Sequence, residues 1–346
     1  MKPRFLALAV MAIVSAWSVS ASAQQVTGTL GSPSATTTIS GKQLPAPDPA
    51  FGGVIKNNAL QSTPWWAPRI VPPKGAPNVL LIMTDDVGFG ASSTFGGPVP
   101  TPTLDALARD GARYNRFNTT AICSPTRAAL LTGRYPHNVG MGNATNVAAG
   151  YPGYTSVIPK SAGTIARILA DRGWGTAMFG KGHVTPEWES GPLGPYDRWP
   201  TGLGFQYFYG FLGADTSAFA PALVENTRFV EPPADAPGYH LDTDLADHAL
   251  AWIRLQKSLD PQRPLFIYYA PGSAHAPHHA PSEWLQRFSG RFEQGWDVMR
   301  TQTFARQRAL GVVPREARLT PRPAQLPAWS SLSAAQRRLA ARLMEA

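Results

Sequence analysis

VLLIMTDD, residues 79–86, is a run of five apolar side chains closed by a threonine and two carboxylates. An apolar stretch of strand length, without polar alternation, reads as a parallel strand buried on both faces. Further along, a helix is expected from Thr101, with Pro102 in its first turn, Leu104, Leu107 and Ala108 on one face, and Gly111 as its stop. A second helix over residues 161–172 closes at Gly173 and feeds a short apolar strand over 176–179. A third, over residues 242–257, presents Leu245, Ala249, Trp252 and Ile253 and feeds a strand over 265–269. Strand and helix therefore alternate without an internal repeat. The order predicts an α/β fold: a mostly parallel central sheet with helices on both faces. In such sheets, ligand-binding groups gather beyond the carboxyl ends of the strands.

Upstream of this region the character differs. Lys2 and Arg4 precede an apolar stretch from Phe5 to Val14, and Ala21-Ser22-Ala23 has the small-x-small form of a signal peptidase site. Residues 1–23 are read as a signal peptide, which predicts a periplasmic or secreted protein. Ser15 and Ser18 interrupt the apolar run below the roughly 18 residues a spanning helix needs, so stable membrane insertion is not expected. Residues 24–74, rich in Thr, Ser, Pro and Gly, read as an extended arm on which Trp65-Trp66 and Ile70-Val71 offer docking side chains. Residues 75–346 form the expected catalytic domain. The net charge of +9 arises largely from arginines scattered beyond residue 286, with no lysine-rich run, so nucleic acid is not an expected partner. The single cysteine excludes an intramolecular disulfide and leaves one thiol whose surroundings matter.

Four groups carry candidate chemistry. Asp85 and Asp86 end the first strand; adjacent carboxylates repel unless a hard cation or water intervenes, and all-oxygen ligation suits Ca2+ or Mg2+. The plainer alternative is a solvated loop. Cys123-Ser124-Pro125-Thr126-Arg127 precedes helix-forming Ala128 to Leu131. Pro125 fits a first turn, so Cys123 is expected at the helix N-terminus, where amides and macrodipole favour negative charge, with Arg127 over the same end. The alternative is a small buried apolar residue. Gly180-Lys181-Gly182-His183 follows the strand over 176–179, where a solvent-facing loop is the ordinary expectation. Ala274-His275-Ala276-Pro277-His278-His279 follows the strand over 265–269; with no cysteine nearby, zinc is disfavoured. The aromatic stretch 205–211 reads as core packing in preference to a substrate pocket.

CSPTR followed by AALLTGRYPHNVG resembles the signature of type I sulfatases, and TDDVGFG stands upstream at the spacing that family shows. The resemblance runs from Asn78 to about Pro281, is nearest to the large bacterial arylsulfatases, and implies an alkaline-phosphatase-like fold. It implies that a maturation enzyme oxidises Cys123 to formylglycine, an aldehyde whose hydrate supplies the nucleophile: one hydroxyl attacks sulfur, and the other later expels sulfate as the aldehyde returns. By the same resemblance, Lys181 holds a sulfate oxygen and His183 contacts the diol and takes its proton. His275 binds sulfate and protonates the leaving alcohol, and His278 and His279 are bystanders. Arg127 stabilises charge, and Asp85, Asp86 and residue 123 bind a divalent cation, Ca2+ or else Mg2+.

The implied activity is hydrolysis of small-molecule sulfate esters, aryl sulfate giving phenol and sulfate. Alternatives are a phosphonate or phosphate ester hydrolase of the same superfamily, or a non-catalytic exported relative in which Cys123 stays a thiol. One part of the pattern is missing. The family's later Asp-Asn metal pair has no counterpart, and the chain closes on a helical pattern of Leu332, Ala335, Leu339 and Leu343. These features predict a domain incomplete at the C-terminus, weak or inactive alone, with apolar sheet edges exposed.

Overall fold

The computed structural model describes residues 26–32, 34–38, 49–232 and 237–346, so the expected signal peptide, residues 1–23, lies outside the described residues. The chain divides into two units at Val71 and Pro72. In the first, β1 (Val26–Thr27) pairs antiparallel with β2 (Thr36–Thr37), which pairs parallel with β3 (Arg69–Ile70). Within this unit Trp65 meets Phe51 edge to face, with centroids 6.2 Å apart, so that part of the expected arm carries local structure.

In the second unit the strands are β4 (Val79–Ile82), β5 (Gly175–Lys181), β6 (Tyr207–Phe211), β7 (Leu223–Glu225), β8 (Arg228–Val230) and β9 (Leu265–Ala270). They form one sheet in the order β4-β9-β5-β6-β7-β8. Neighbours from β4 to β6 run parallel, and β7 and β8 extend the sheet antiparallel. The helices are α1 (Pro102–Asp110), α2 (Cys123–Thr132), α3 (Ile165–Ala170), α4 (Leu241–Leu259), α5 (Ser282–Arg287), α6 (Gly295–Ala309) and α7 (Ala334–Glu345). Ala128 and Leu131 of α2 and Ala166 of α3 pack with Met178, Phe208, Phe266 and Tyr268 on one face. Leu245, Ala249 and Trp252 of α4 pack with Ala177, Phe179, Tyr209 and Ile267 on the other. The alternation of β5 and β9 side chains between these clusters is the two-residue period of a strand buried on both faces.

Several expectations need correction. β4 is parallel, but it lies at the sheet edge, and Val79, Leu80 and Ile82 are exposed. Composition alone cannot distinguish a central strand from an apolar edge, because the difference lies in which other strands are present. The helix expected over 161–172 is shorter, because Thr164 caps α3 by accepting from the Arg167 amide at 3.1 Å. The strand expected over 176–179 continues through Gly180 to Lys181. The apolar stripe of α7 faces outward: Leu339 and Leu343 are exposed while Ala341 is buried. The aromatic stretch is core, as Phe205, Phe208 and Phe211 are each 2% exposed or less.

The joint between β5 and β6 is built on glycine. A Cβ placed on Gly210 would stand 2.0 Å from the Gly180 carbonyl oxygen, a backbone atom that cannot swing aside. Gly210→Ala is therefore expected to destabilise the protein by about 1–3 kcal/mol, as overpacked cores do. A denaturation midpoint unchanged from the parent would show that the two strands separate freely.

Candidate active site

Asp85 comes three residues after the end of β4 and is almost completely buried. Both of its oxygens are taken. Lys181 Nζ donates to Oδ2 at 2.5 Å, and the Arg127 guanidinium donates to Oδ1 at 3.2 Å. Arg127 also donates to the Lys181 carbonyl at 3.1 Å and to the Tyr268 hydroxyl at 3.2 Å. Lys181 is fully buried and Arg127 is 1% exposed, so the expected solvent-facing lysine is instead sealed at the carboxyl end of a central strand. Two cationic side chains thus oppose one carboxylate away from water, leaving an excess of positive charge where charged hydrogen bonds are strongest.

α2 begins at Cys123, and Ile122 before it offers no capping side chain. Pro125 in the first turn holds φ at its helical value, which lets the helix start at the cysteine. Arg127, one turn along, carries the helix's charge to Asp85. Among the described residues, Ser124 Oγ, Arg127 Nε and both ring nitrogens of His183 are buried without a hydrogen-bond partner. Buried polar groups are normally paired, so these atoms mark the ground that a polar ligand would occupy. His183 sits at φ 49°, fixed by its amide donating to the Leu212 carbonyl at 3.0 Å. Burial, and then the Lys181 and Arg127 charges, hold its imidazole pKa down to about 3, so the ring is neutral at physiological pH.

His275 brings Nε2 to 3.7 Å from Asp86, which is exposed and has φ 55°. Its Nδ1 lies 2.6 Å from the Ala276 carbonyl. The carboxyl ends of β4, β5 and β9 and the start of α2 thus bring together Asp85, Arg127, Lys181 and Tyr268, with His275 against Asp86. Sequence reasoning missed Tyr268, which reads as one more apolar residue of its strand; its hydroxyl accepts from Arg127, and burial raises its pKa. His279 is a structural tie: its Nδ1 accepts from the Ala218 amide at 3.3 Å, and its ring stacks on Phe219.

Ca2+ prefers six to eight oxygens, whereas Asp85 already serves two cations and Asp86 adds one carboxylate. Among the described residues, no three His, Cys, Asp or Glu side chains cluster as a metal site. This donor set does not make a complete cage.

The sulfatase family model matches residues 77–340. The chain belongs to the sulfatase family. The arylsulfatase of Klebsiella aerogenes is 32% identical over 280 residues, covering 78% of this chain and 58% of that protein. Human arylsulfatase A is 32% identical over 248 residues, covering 64% of this chain and 46% of its own length. The chain thus spans about half the length of these relatives. The crystal structure of Ps i-CgsB shares the fold, with a TM-score of 0.50 at 24% identity, over 68% of this sulfatase-family chain and 53% of that one. The α/β fold, mostly parallel with helices on both faces, is that of the family.

Proposed function

We propose that this sulfatase-family chain acts on sulfate esters through an oxidised residue 123, with aryl sulfates as the substrate class nearest its relatives. One observation carries the reading. Arg127 and Lys181, both buried, converge on the Asp85 carboxylate, and their charges act on a buried His183 whose ring nitrogens have no partner among the described residues. Such a cluster of buried donors suits a tetrahedral oxyanion that would share them with Asp85, because preorganised donors stabilise charge without reorganising. Formylglycine at 123 would supply a hydrated aldehyde as nucleophile. Lys181 and Arg127 would hold the sulfuryl oxygens, and neutral His183 would accept a proton at a ring nitrogen. His275, with Nε2 facing the exposed Asp86, would protonate the departing alcohol oxygen. Asp85 and Asp86 remain the carboxylates that would contribute to a Ca2+ or Mg2+ site. Because their oxygens do not fill such a site, the described residues alone are expected to bind a divalent cation weakly.

We further propose that residues 1–23 direct export to the periplasm or medium and that 75–346 is the catalytic domain. Among the described residues, no helix is long and apolar enough to cross a membrane.

Mass spectrometry of the peptide containing residue 123, after co-expression with a formylglycine-generating enzyme, tests the first step. The expected result is a lower mass, as thiol becomes aldehyde; an unmodified thiol would favour a non-catalytic role. Paired rates on an aryl sulfate and an aryl phosphodiester then read substrate class, and a phosphodiester preference would move the assignment to the superfamily's phosphoryl chemistry.

A further inference from the structure

The segment carrying His275 leaves β9 at Ala270 and belongs to no helix or strand until α5, yet it is fastened at two points to the start of α4. Ser273 Oγ donates to Asp242 Oδ2 at 2.6 Å. Six residues on, His240 Nε2 lies 2.9 Å from the His279 carbonyl, while His240 Nδ1 accepts from the Asp242 amide at 3.3 Å. Asp242 is itself held, since the Tyr269 hydroxyl donates to its carbonyl at 3.2 Å. Its carboxylate lies in the first turn of a 19-residue helix, where the macrodipole favours negative charge. The bond from Ser273 is short, as hydroxyl-to-carboxylate bonds are.

Ser273 also governs the other side of the site. Its carbonyl accepts from the Asp85 amide at 3.3 Å, and the next amide, Ala274, donates to the Asp85 carbonyl at 3.0 Å. One residue therefore joins three things: the rigid end of α4, the backbone of the carboxylate that holds Lys181 and Arg127, and the loop that aims His275. Ser273 is itself exposed, so its hydrogen bond adds little to stability. Its consequence is geometric, because a displacement of about 1 Å in a positioning group can change function by about a hundredfold.

We infer that Asp242, acting through Ser273, is a positioning residue that sets His275 against a bound oxyanion. The inference rests on the sulfate-ester reading of the site. A structural contact and a positioning contact differ in how they combine with loss of His275. If Ser273 acts by aiming that ring, removing the bond matters only while the ring is there.

The test is calorimetric binding of inorganic sulfate to the full chain and to Ser273→Ala, Ser273→Thr, Asp242→Asn, His275→Ala and the Ser273→Ala/His275→Ala double variant. Circular dichroism shows whether each is folded, and the exposed Ser273→Ala change keeps the series usable should Asp242→Asn fail to fold. Ser273→Ala and Asp242→Asn are expected to weaken sulfate about tenfold, Ser273→Thr to stay within about twofold, and the double variant to bind no more weakly than His275→Ala alone. Additive losses, or full affinity in Ser273→Ala, would overturn the inference while leaving the oxyanion site standing. Absence of sulfate binding by the parent chain would overturn both.

Discussion

Asp85→Ala is expected to lower the free energy of unfolding by about 3–5 kcal/mol, the cost of breaking a buried ion pair from one side. The carboxylate is one small group, but both of its oxygens are engaged, by Lys181 at 2.5 Å and Arg127 at 3.2 Å. All three side chains are at most 4% exposed, so water cannot replace what is removed. The loss therefore contains little of the screening that reduces surface pairs to a fraction of a kcal/mol. It consists mainly of leaving cations desolvated beside an apolar core. Asp85→Ala/Lys181→Met should recover part of the deficit, because one of the stranded charges goes with its partner. Urea unfolding of the parent, both single variants and the double closes the cycle. A deficit below about 1 kcal/mol for Asp85→Ala would mean that solvent reaches these groups in solution.

The same residues show how far the sequence can be read. Cys123, Arg127, Lys181 and His183 were joined into one set by the resemblance to the sulfatase signature, whereas position along the chain marked each only as the end of a strand or the start of a helix. The sheet and its helices on both faces were legible from alternation, and β5 and β9 carry the expected apolar runs. Local sequence left out what depends on neighbours in space. Nothing in VLLIM distinguishes an edge from a centre, and nothing in LFIYYA singles out Tyr268, whose hydroxyl meets an arginine 141 positions earlier. β7 and β8, three residues each, are too short to show a period. The Ser273 to Asp242 tie spans 31 positions and joins two ordinary polar residues, so no motif announces it. Contacts of this kind are set by tertiary packing, and they determine where the recognisable residues point.

Acid should expose the second large effect, through His183. In the folded protein, burial and the adjoining Lys181 and Arg127 charges hold its pKa near 3, against an ordinary 6.5. Between those values the unfolded chain binds a proton that the folded protein refuses, so acid favours unfolding. The contribution is fully present above pH 6.5 and is lost as pH falls toward 3, at about 1.4 kcal/mol per pH unit. At pH 4.5 this single group should have withdrawn roughly 2–3 kcal/mol. Carboxylates that pair in the fold also weaken it in acid, so the parent curve alone does not isolate the histidine. His183→Gln keeps a polar side chain of similar reach but cannot take up the proton. Its unfolding free energy should fall less steeply than the parent's between pH 6.5 and 4.5, even if it starts lower. Parallel curves for the two proteins over that window would mean that the folded protein lets His183 take up its proton as readily as the unfolded chain does, and that burial and the neighbouring cations do not hold its pKa down.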